Sequence, residues 1–242
     1  MTGAEMDSKT GSWALATAGG KDATLALHRA RSQGLQVRWG LNVLEGNSGR
    51  VRFHGTPRPV LEAQLRSLGL EPRLGRTHPR DFSAVLTELL NGLREAGARG
   101  VIFGNLHLSD IRDWYEERVV AAGLEHREPL WNESPEKVAR GVVAEGFRAR
   151  VISVNLELGD PEWLGRELTP ELVDRFVAAG IDVCGERGEY HTLVTDGPGF
   201  SRPLEIRTLG EDEREGHRYL LLELDEPAAG DAPSGSASRQ GV

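Results

Sequence analysis

The 242-residue sequence predicts an α/β fold: a parallel sheet flanked by helices, followed by a smaller α+β C-terminal unit. Three observations carry that expectation. Short apolar runs alternate with helical-period stretches through the first half, the pattern of strands joined by crossover helices. The first run ends in two adjacent glycines that open a helix. The last part of the chain holds two strand-like runs around Gly210 to Gly216, which reads as an antiparallel hairpin.

Taken in order, residues 1–11 are polar and expected to fray. Trp13-Ala14-Leu15-Ala16 begins a buried strand over 13–18. Ala23, Ala26, Leu27 and Ala30 recur at helical spacing, so 21–33 is a helix ended by Gly34. A second strand, 36–44, runs into the turn Glu45-Gly46-Asn47-Ser48-Gly49, with Val51 to Phe53 pairing back. Thr56-Pro57 signals the next helix, Thr as N-cap and Pro at its first position, with Leu61, Leu65 and Leu68 as its apolar stripe. Glu71 to Arg76 is a short strand candidate. Asp81 is placed to cap a helix with Phe82, Val85, Leu86, Leu89, Leu90 and Leu93 on one face, stopped by Gly97. Gly100 to Gly104 reads as a buried strand, and Ser109 as the cap of a helix through Ala122.

The second half opens near Glu128-Pro129-Leu130-Trp131. Ser134-Pro135-Glu136 starts a helix ended by Gly146, and Arg150 to Asn155 is a strand. Thr169-Pro170-Glu171 starts a helix that stops at Gly180. Strands at about 203–209 and 217–224 complete the unit. From Pro227 the composition cannot build a core, so 226–242 is expected to be disordered. The boundaries are therefore 12–127 for the first domain and 128–225 for the second.

Bulk properties narrow the function. A net charge of −8 argues against a general nucleic-acid surface. No run of about 20 apolar residues is present, as a membrane span would need, and the first twelve residues lack an apolar signal core, so a cytoplasmic enzyme is expected. The single cysteine, Cys184, excludes an internal disulfide and a Cys-rich zinc site, and is expected to be inert.

Three constellations carry candidate chemistry. The first is Thr17-Ala18-Gly19-Gly20-Lys21-Asp22-Ala23. A strand that ends in glycines and opens a helix presents free backbone N–H groups and a partial positive charge to an anion. Lys21 adds charge, and Asp22 is a candidate Mg²⁺ ligand. The spacing matches neither the Walker loop nor the dinucleotide fingerprint, and an ordinary strand–helix turn would use the same glycines. The second is Cys184 to Thr192, where Glu186, Glu189, Tyr190 and His191 crowd a glycine-rich segment. Either glutamate can hold an ammonium or a metal, and His191 can serve as acid or base; a solvated loop is the competing reading. The third is Asn105, His107, Asp110, Arg112, Asp113 and Trp114, at the mouth of the Val101 strand. Ligands in open parallel sheets bind beyond the carboxyl ends of the strands, so the first and third groups are expected to share a cleft. Asp113 reads as a solvated helix-start acid, Trp131 as a packing residue, and His54 and His78 as surface residues.

With these residues in view, the chain resembles the diphthine–ammonia ligase family, enzymes of the N-type ATP pyrophosphatase, adenine-nucleotide α-hydrolase-like (HUP) class. The match runs from about Trp13 to Arg207. It is anchored by Gly19-Gly20-Lys21-Asp22, Val101-Ile102-Phe103-Gly104, Arg112-Asp113-Trp114, Pro129-Leu130-Trp131, Trp163-Leu164-Gly165-Arg166, Cys184 to Thr192, and Asp196-Gly197-Pro198. The resemblance implies an ATP-dependent amide ligase that forms AMP and pyrophosphate: a substrate carboxylate is adenylated and ammonia then displaces AMP, with Mg²⁺ assisting. On this reading the first domain binds ATP through Thr17, Ala18, Gly19, Gly20, Lys21, Asp22, Gly104 and Asn105. The second shapes an acceptor pocket, with Glu186, Glu189, Tyr190, His191 and Thr192, joined by Arg112 of the first, meeting the acceptor or the ammonia. Lys21, Asp22, Glu186, Glu189 and His191 are the implied catalytic set, and Asp22 the implied metal ligand. A homodimer is left open.

The sequence departs from the family pattern at three places. The family's S-G-G-K-D-S reads here as Ala18 to Ala23, so both loop hydroxyls are missing. Thr17 and Thr24 are displaced by one position and are expected to point elsewhere. The family's Gly-Asp after the Val101 strand appears as Gly104-Asn105. These changes favour a second reading, an adenine-nucleotide-binding protein with weak or lost ligase activity. The Arg-, Gly- and Ala-rich composition is of a bacterial kind, which would require an acceptor other than diphthine.

Overall fold

A computed structural model describes residues 11–77 and 81–225. The expectations for residues 1–10, for His78 and for the tail lie outside the described residues. The first half alternates strands and helices: β1 (Ser12–Ala16), α1 (Lys21–Ser32), β2 (Val37–Glu45), α2 (Arg58–Ser67), β3 (Glu71–Thr77), α3 (Phe82–Glu95), β4 (Ala98–Ile102), α4 (Ser109–Ala121) and β5 (Glu125–Arg127). Its five strands form one parallel sheet in the order β3-β2-β1-β4-β5. The order reverses between β1 and β4, and that switch point leaves a crevice at the carboxyl ends of the two strands.

The second half contributes α5 (Pro135–Ala144), β6 (Arg148–Asn155), α6 (Pro170–Ala179), β7 (Tyr190–Asp196), β8 (Ile206–Arg214) and β9 (His217–Leu224). Its four strands form an antiparallel sheet in the order β7-β6-β9-β8. The predicted pairing of a parallel sheet with a smaller α+β unit is what the chain adopts.

The two faces of the parallel sheet bury different sets of side chains. On one, Ala14, Trp39, Leu41 and Val43 pack with Leu86, Leu90 and Leu93 of α3 and Val119 of α4. On the other, Trp13, Leu15, Leu25, Leu61 and Leu65 join a cluster that runs on through Val138, Phe147, Val151, Phe176 and Tyr190 of the second half. Helix α2 lies between the sheets. Its Leu61 and Leu65 belong to that shared cluster, while Val60 packs with Ile152, Leu193, Leu220 and Leu222.

Several local expectations are corrected. Helix α2 begins at Arg58 with Pro57 as its N-cap, so Thr56 caps nothing; its hydroxyl reaches toward the Ala18 carbonyl at 3.4 Å. Asp81 flanks α3 without a side-chain bond, and Ser109 is the first residue of α4, behind Leu108. Thr169 does cap α6, accepting from Leu172 N–H at 3.3 Å, and Gly180 ends that helix in the left-handed conformation. Val51 pairs back on Leu44 as an isolated bridge. The final hairpin is tighter than expected: β8 and β9 meet at Glu215-Gly216, both with positive φ, the signature of a two-residue turn matched to strand twist. Strands β5 and β7 were not anticipated. The first is three residues long. The second follows the glycine-rich segment directly, and its pairing with β6 is visible only in three dimensions.

Candidate active site

The turn from β1 into α1 is held from both halves of the chain. Gly19 has φ of +90°, a left-handed conformation that a side chain would strain. The Gly19 carbonyl accepts from Val194 N–H of β7 at 3.0 Å and from Gln64 Nε2 of α2 at 2.8 Å. The same Gln64 amide donates to the Val194 carbonyl at 2.7 Å. Lys21 N–H donates to Thr192 Oγ1 at 3.1 Å. A hydroxyl from the second sheet thus satisfies a first-turn donor of α1, where Gly20 as N-cap offers no side chain.

Lys21 is buried, 2% exposed, and its Nζ turns away from the crevice. It donates to Asp22 Oδ2 at 2.8 Å and to the Cys184 carbonyl, and lies 4.9 Å from the centre of the Tyr190 ring. Burial opposes its charge, but Asp22, Tyr190 and Cys184 together outweigh burial and hold the ammonium well above its ordinary range. The expected direct reach of Lys21 toward an anion is therefore not the geometry seen. The charge sits behind the loop and clamps one oxygen of Asp22. The other oxygen, Oδ1, is buried without a hydrogen-bond partner.

In front of the loop is a cavity of about 480 Å³, within the range of small-molecule sites. Thr17, Ala18, Gly20, Asp22 and Ala23 line it on the loop side. Leu41, Val43, Leu86, Phe103 and Tyr115 give it an apolar wall, and Gly104 and Asn105 close the β4 side. Gly104 touches the loop: a Cβ there would lie 2.6 Å from the Ala23 nitrogen. Thr17 Oγ1 accepts from Gly19 N–H and Thr24 Oγ1 donates to the Gly20 carbonyl, so both hydroxyls are engaged by the backbone.

His54 was expected at the surface and instead lines the cavity. Its Cε1 lies 3.2 Å from where a Cβ on Gly20 would be, and its ring stacks on His191 of β7 at 4.2 Å. His217 continues the series, 6.5 Å from His191. Burial, aided by the Lys21 charge, lowers His54 to a pKa of about 4. Burial and His54 hold His191 well below its usual value. The pair is neutral, which suits a wall that must sit beside a cation without repelling it.

Of the other predicted acceptor residues, His191 alone lines the cavity. Glu186 Oε2 accepts from Leu106 N–H at 3.1 Å, and burial with Asp22 nearby raises its pKa to about 7. Glu189 is buried; one oxygen accepts from Asp182 N–H at 2.9 Å and the other has no partner. Asp182 also pairs with His107 at 3.0 Å. Tyr190 is buried with its hydroxyl on the Val183 carbonyl at 2.6 Å and its ring stacked on Phe176, a wall behind Lys21. Cys184 is buried and burial pushes its thiol pKa up, consistent with inertness. Asp113 is exposed, as expected. Arg112 pairs with Glu128 at 3.2 Å and lies 4.8 Å from the Trp131 ring.

Gln64, His54 and Glu128 join the site only in three dimensions. Gln64 had a signal: a polar residue inside the stripe of Leu61, Leu65 and Leu68. The other two had none, because their neighbours come from distant segments.

The geometry joins two segments that known sequences also join. Residues 11–126 match the model of the diphthamide synthase N-terminal domain, and residues 134–223 that of the diphthamide synthase C-terminal domain. The chain belongs to the diphthamide synthase family. Among similar proteins is the diphthine–ammonia ligase of Rattus norvegicus, 31% identical over 159 residues, covering 62% of this chain and 58% of the relative. Those of Mus musculus and Homo sapiens are 31% and 30% identical over 157 and 155 residues, covering 61% of this chain and 58% of each relative. This chain therefore spans less than two thirds of the curated relatives it matches. In this chain the two matched segments meet at the loop: the first supplies Gly19 to Asp22, and the second supplies Thr192, Val194 and the Cys184 carbonyl. No helix among the described residues is long and apolar enough to cross a membrane.

Proposed function

We propose that the chain is an ATP-dependent amide ligase that adenylates a substrate carboxylate, releases pyrophosphate and transfers ammonia to give the amide and AMP. The observation that carries this reading is the clasped loop of Gly19 to Asp22 at the mouth of a cavity of about 480 Å³ with an apolar wall. The relatives' name, diphthine–ammonia ligase, supports the reaction class. The acceptor is a carboxylate, diphthine or another.

The residues divide the work by their chemistry. Leu41, Val43, Leu86, Phe103 and Tyr115 suit a flat base. The helix start at Gly20 to Ala23 suits phosphate oxygens, and displacement at phosphorus needs such preorganised charge more than a protein nucleophile. The Asp22 carboxylate, one oxygen held by Lys21 and the other unpartnered, fits a Mg²⁺ ligand. Among the described residues no three His, Cys, Asp or Glu side chains form a metal cage, which also fits Mg²⁺, an ion that keeps waters and substrate oxygens around one or two carboxylates. Bound Mg²⁺ would neutralise the charge that develops on the departing pyrophosphate. His54 and His191 form the neutral wall beside the loop, where the acceptor carboxylate enters. The carboxylate oxygen bonds to the α-phosphorus as pyrophosphate leaves; nitrogen then bonds to the acyl carbon as AMP leaves, and the nitrogen gives up one proton.

The test is pyrophosphate release from ATP with Mg²⁺, ammonium and a panel of carboxylates. Lys21→Ala frees the clamped oxygen of Asp22 and removes the charge behind the loop, and is expected to lower the rate by about a hundredfold or more. Unchanged turnover in that variant refutes the assignment. The position of Lys21 outside the cavity, with Ala18 and Ala23 in place of hydroxyls, favours a second reading, nucleotide binding without turnover. Tight ATP binding with no pyrophosphate release against any carboxylate would support it.

A further inference from the structure

The β4 corner holds a polar cluster that reaches the cavity through a single side chain. Asn105 lines the cavity; Glu128, just past the end of β5, stands behind it with its side chain 3% exposed. Glu128 Oε1 accepts from Asn105 Nδ2 at 2.7 Å. His126 Nε2 approaches the same oxygen at 3.4 Å, and Arg112 Nε lies 3.2 Å from Oε2. Arg112 is itself braced against the Trp131 ring and by Glu116 at 3.3 Å.

This arrangement fixes the direction of an amide. An ionised carboxylate accepts and cannot donate. Burial raises the Glu128 carboxyl above its ordinary range, while the Asn105 amide and the Arg112 guanidinium, 3.2 Å from Oε2, oppose that rise and stabilise the ionised form in which both oxygens accept. Asn105 must then turn its NH₂ toward Glu128, and its carbonyl Oδ1, which has no partner among the described residues, is the end left for the cavity. One negative charge is shared by two side chains, and it sits behind the wall instead of on it.

We propose that Glu128 is a positioning residue that locks the Asn105 amide, so that Asn105 Oδ1 accepts an N–H from the substrate in the cavity. Two substrate N–H groups meet that description under the ligase reading, on which this part rests: the exocyclic amino group of the purine, and the ammonia. The geometry of the lock does not depend on that reading.

The test compares the unaltered protein with Asn105→Asp, Glu128→Gln and the double exchange Asn105→Asp/Glu128→Gln. The readouts are affinity for ATP against inosine triphosphate, which lacks the 6-amino group, and KM for ammonium in the pyrophosphate assay. A Gln at 128 can offer its own NH₂, which lets the Asn105 amide flip and present a donor. Glu128→Gln is therefore expected to cut the preference for ATP over inosine triphosphate, or to raise the ammonium KM, by about tenfold, the scale of one hydrogen bond. Asn105→Asp faces two carboxylates at close range and is expected to lose a similar factor. The double exchange restores one charge and one amide, with the Gln amide donating to Asp and a carboxylate oxygen left for the cavity. It is expected to return within about threefold of the unaltered protein. A role confined to folding would lower the melting temperature without moving the ATP-to-inosine ratio or the ammonium KM.

Single variants that match the unaltered protein in every arm overturn the proposal, as does a double exchange no better than the worse single. An unaltered protein that binds no nucleotide refutes the ligase reading instead. A nucleotide arm that moves names the purine amino group as the partner; an ammonium arm that moves names the nitrogen donor.

Discussion

His54 and Glu186 both lie within electrostatic reach of Lys21 and have opposite responses to protons. His54 titrates at about 4 in the fold against 6.5 ordinarily, because it is buried beside Lys21. As pH falls from 6.5 to 4, the unfolded chain takes up a proton that the fold refuses, so acidification costs stability in that window. Glu186 titrates at about 7 against 4.5, because it is partly buried near Asp22. From pH 4.5 to 7 the fold keeps a proton that the unfolded chain has released, so stability is lost as pH rises. Each effect is at most about 3 kcal/mol before solvent screening, and over the shared window they oppose each other. Glu186→Gln is therefore expected to gain more relative to the unaltered protein at pH 7 than at pH 4.5. His54→Gln should gain more at pH 4.5 than at pH 7. Urea unfolding at the two pH values measures both; differences independent of pH would show that neither group is held as described. At this scale the sequence was informative about residue type and blind to direction. It singled out Lys21 as a phosphate partner, but the side chain turns inward because Asp22, the Cys184 carbonyl and the Tyr190 ring are all on that side.

Elements followed local signals where the signal was chemical and short-ranged. Strands β1 to β4 and helices α1 to α4 appear where apolar spacing and glycine stops place them, and Thr169 and Gly180 bound α6 as expected. The cap readings at Thr56, Asp81 and Ser109 failed by one or two residues or lacked the bond, since a capping residue type marks only the neighbourhood of a helix start. Strand β7 is hidden in the sequence because Glu186 to His191 is dense in polar and glycine residues, and its partner β6 lies more than thirty residues earlier. The contact between β4 and the start of α1 is the sharpest element-level constraint on the site. A methyl group at Gly104 would meet the Ala23 nitrogen at 2.6 Å and the Asp22 carbonyl carbon at 2.7 Å, backbone atoms that move only with the whole first turn. Gly104→Ala is expected to cost about 2 kcal/mol and to weaken nucleotide binding at least tenfold, on the order of an overpacked core site. Gly20→Ala, whose nearest neighbour is the His54 ring at 3.2 Å, should cost less. Calorimetric titration with ATP and a thermal melt distinguish the two; equal affinity in both variants would mean that the β4–α1 contact does not shape the phosphate end.

For the molecule as a whole, the division suggested by the sequence near residue 128 does not divide the core. One buried cluster includes Leu15, Leu25 and Leu65 from the first half and Phe147, Val151, Phe176 and Tyr190 from the second. Helix α2 sits between the sheets, and the loop is bonded to β7 through Gly19, Lys21 and Gln64. Unfolding is therefore expected to be one cooperative transition, with equal calorimetric and van't Hoff enthalpies. Residues 128–225 expressed alone should lack a fixed tertiary signal, because their apolar surface loses its cover. Two separated transitions, or a folded second half, would contradict the shared core.

The sequence by itself determined the α/β class, the glycine loop and the family pattern, because each is written in neighbouring residues or in a period of two or 3.6. Tertiary structure alone decided that β7 closes the loop, that Lys21 faces inward, that His54 joins His191 at the cavity, and that Glu128 turns the Asn105 amide. The physical reason is the same in each case. These contacts join residues far apart in the chain, and burial and hydrogen-bond direction are set by what packs against a side chain, which no local spacing records.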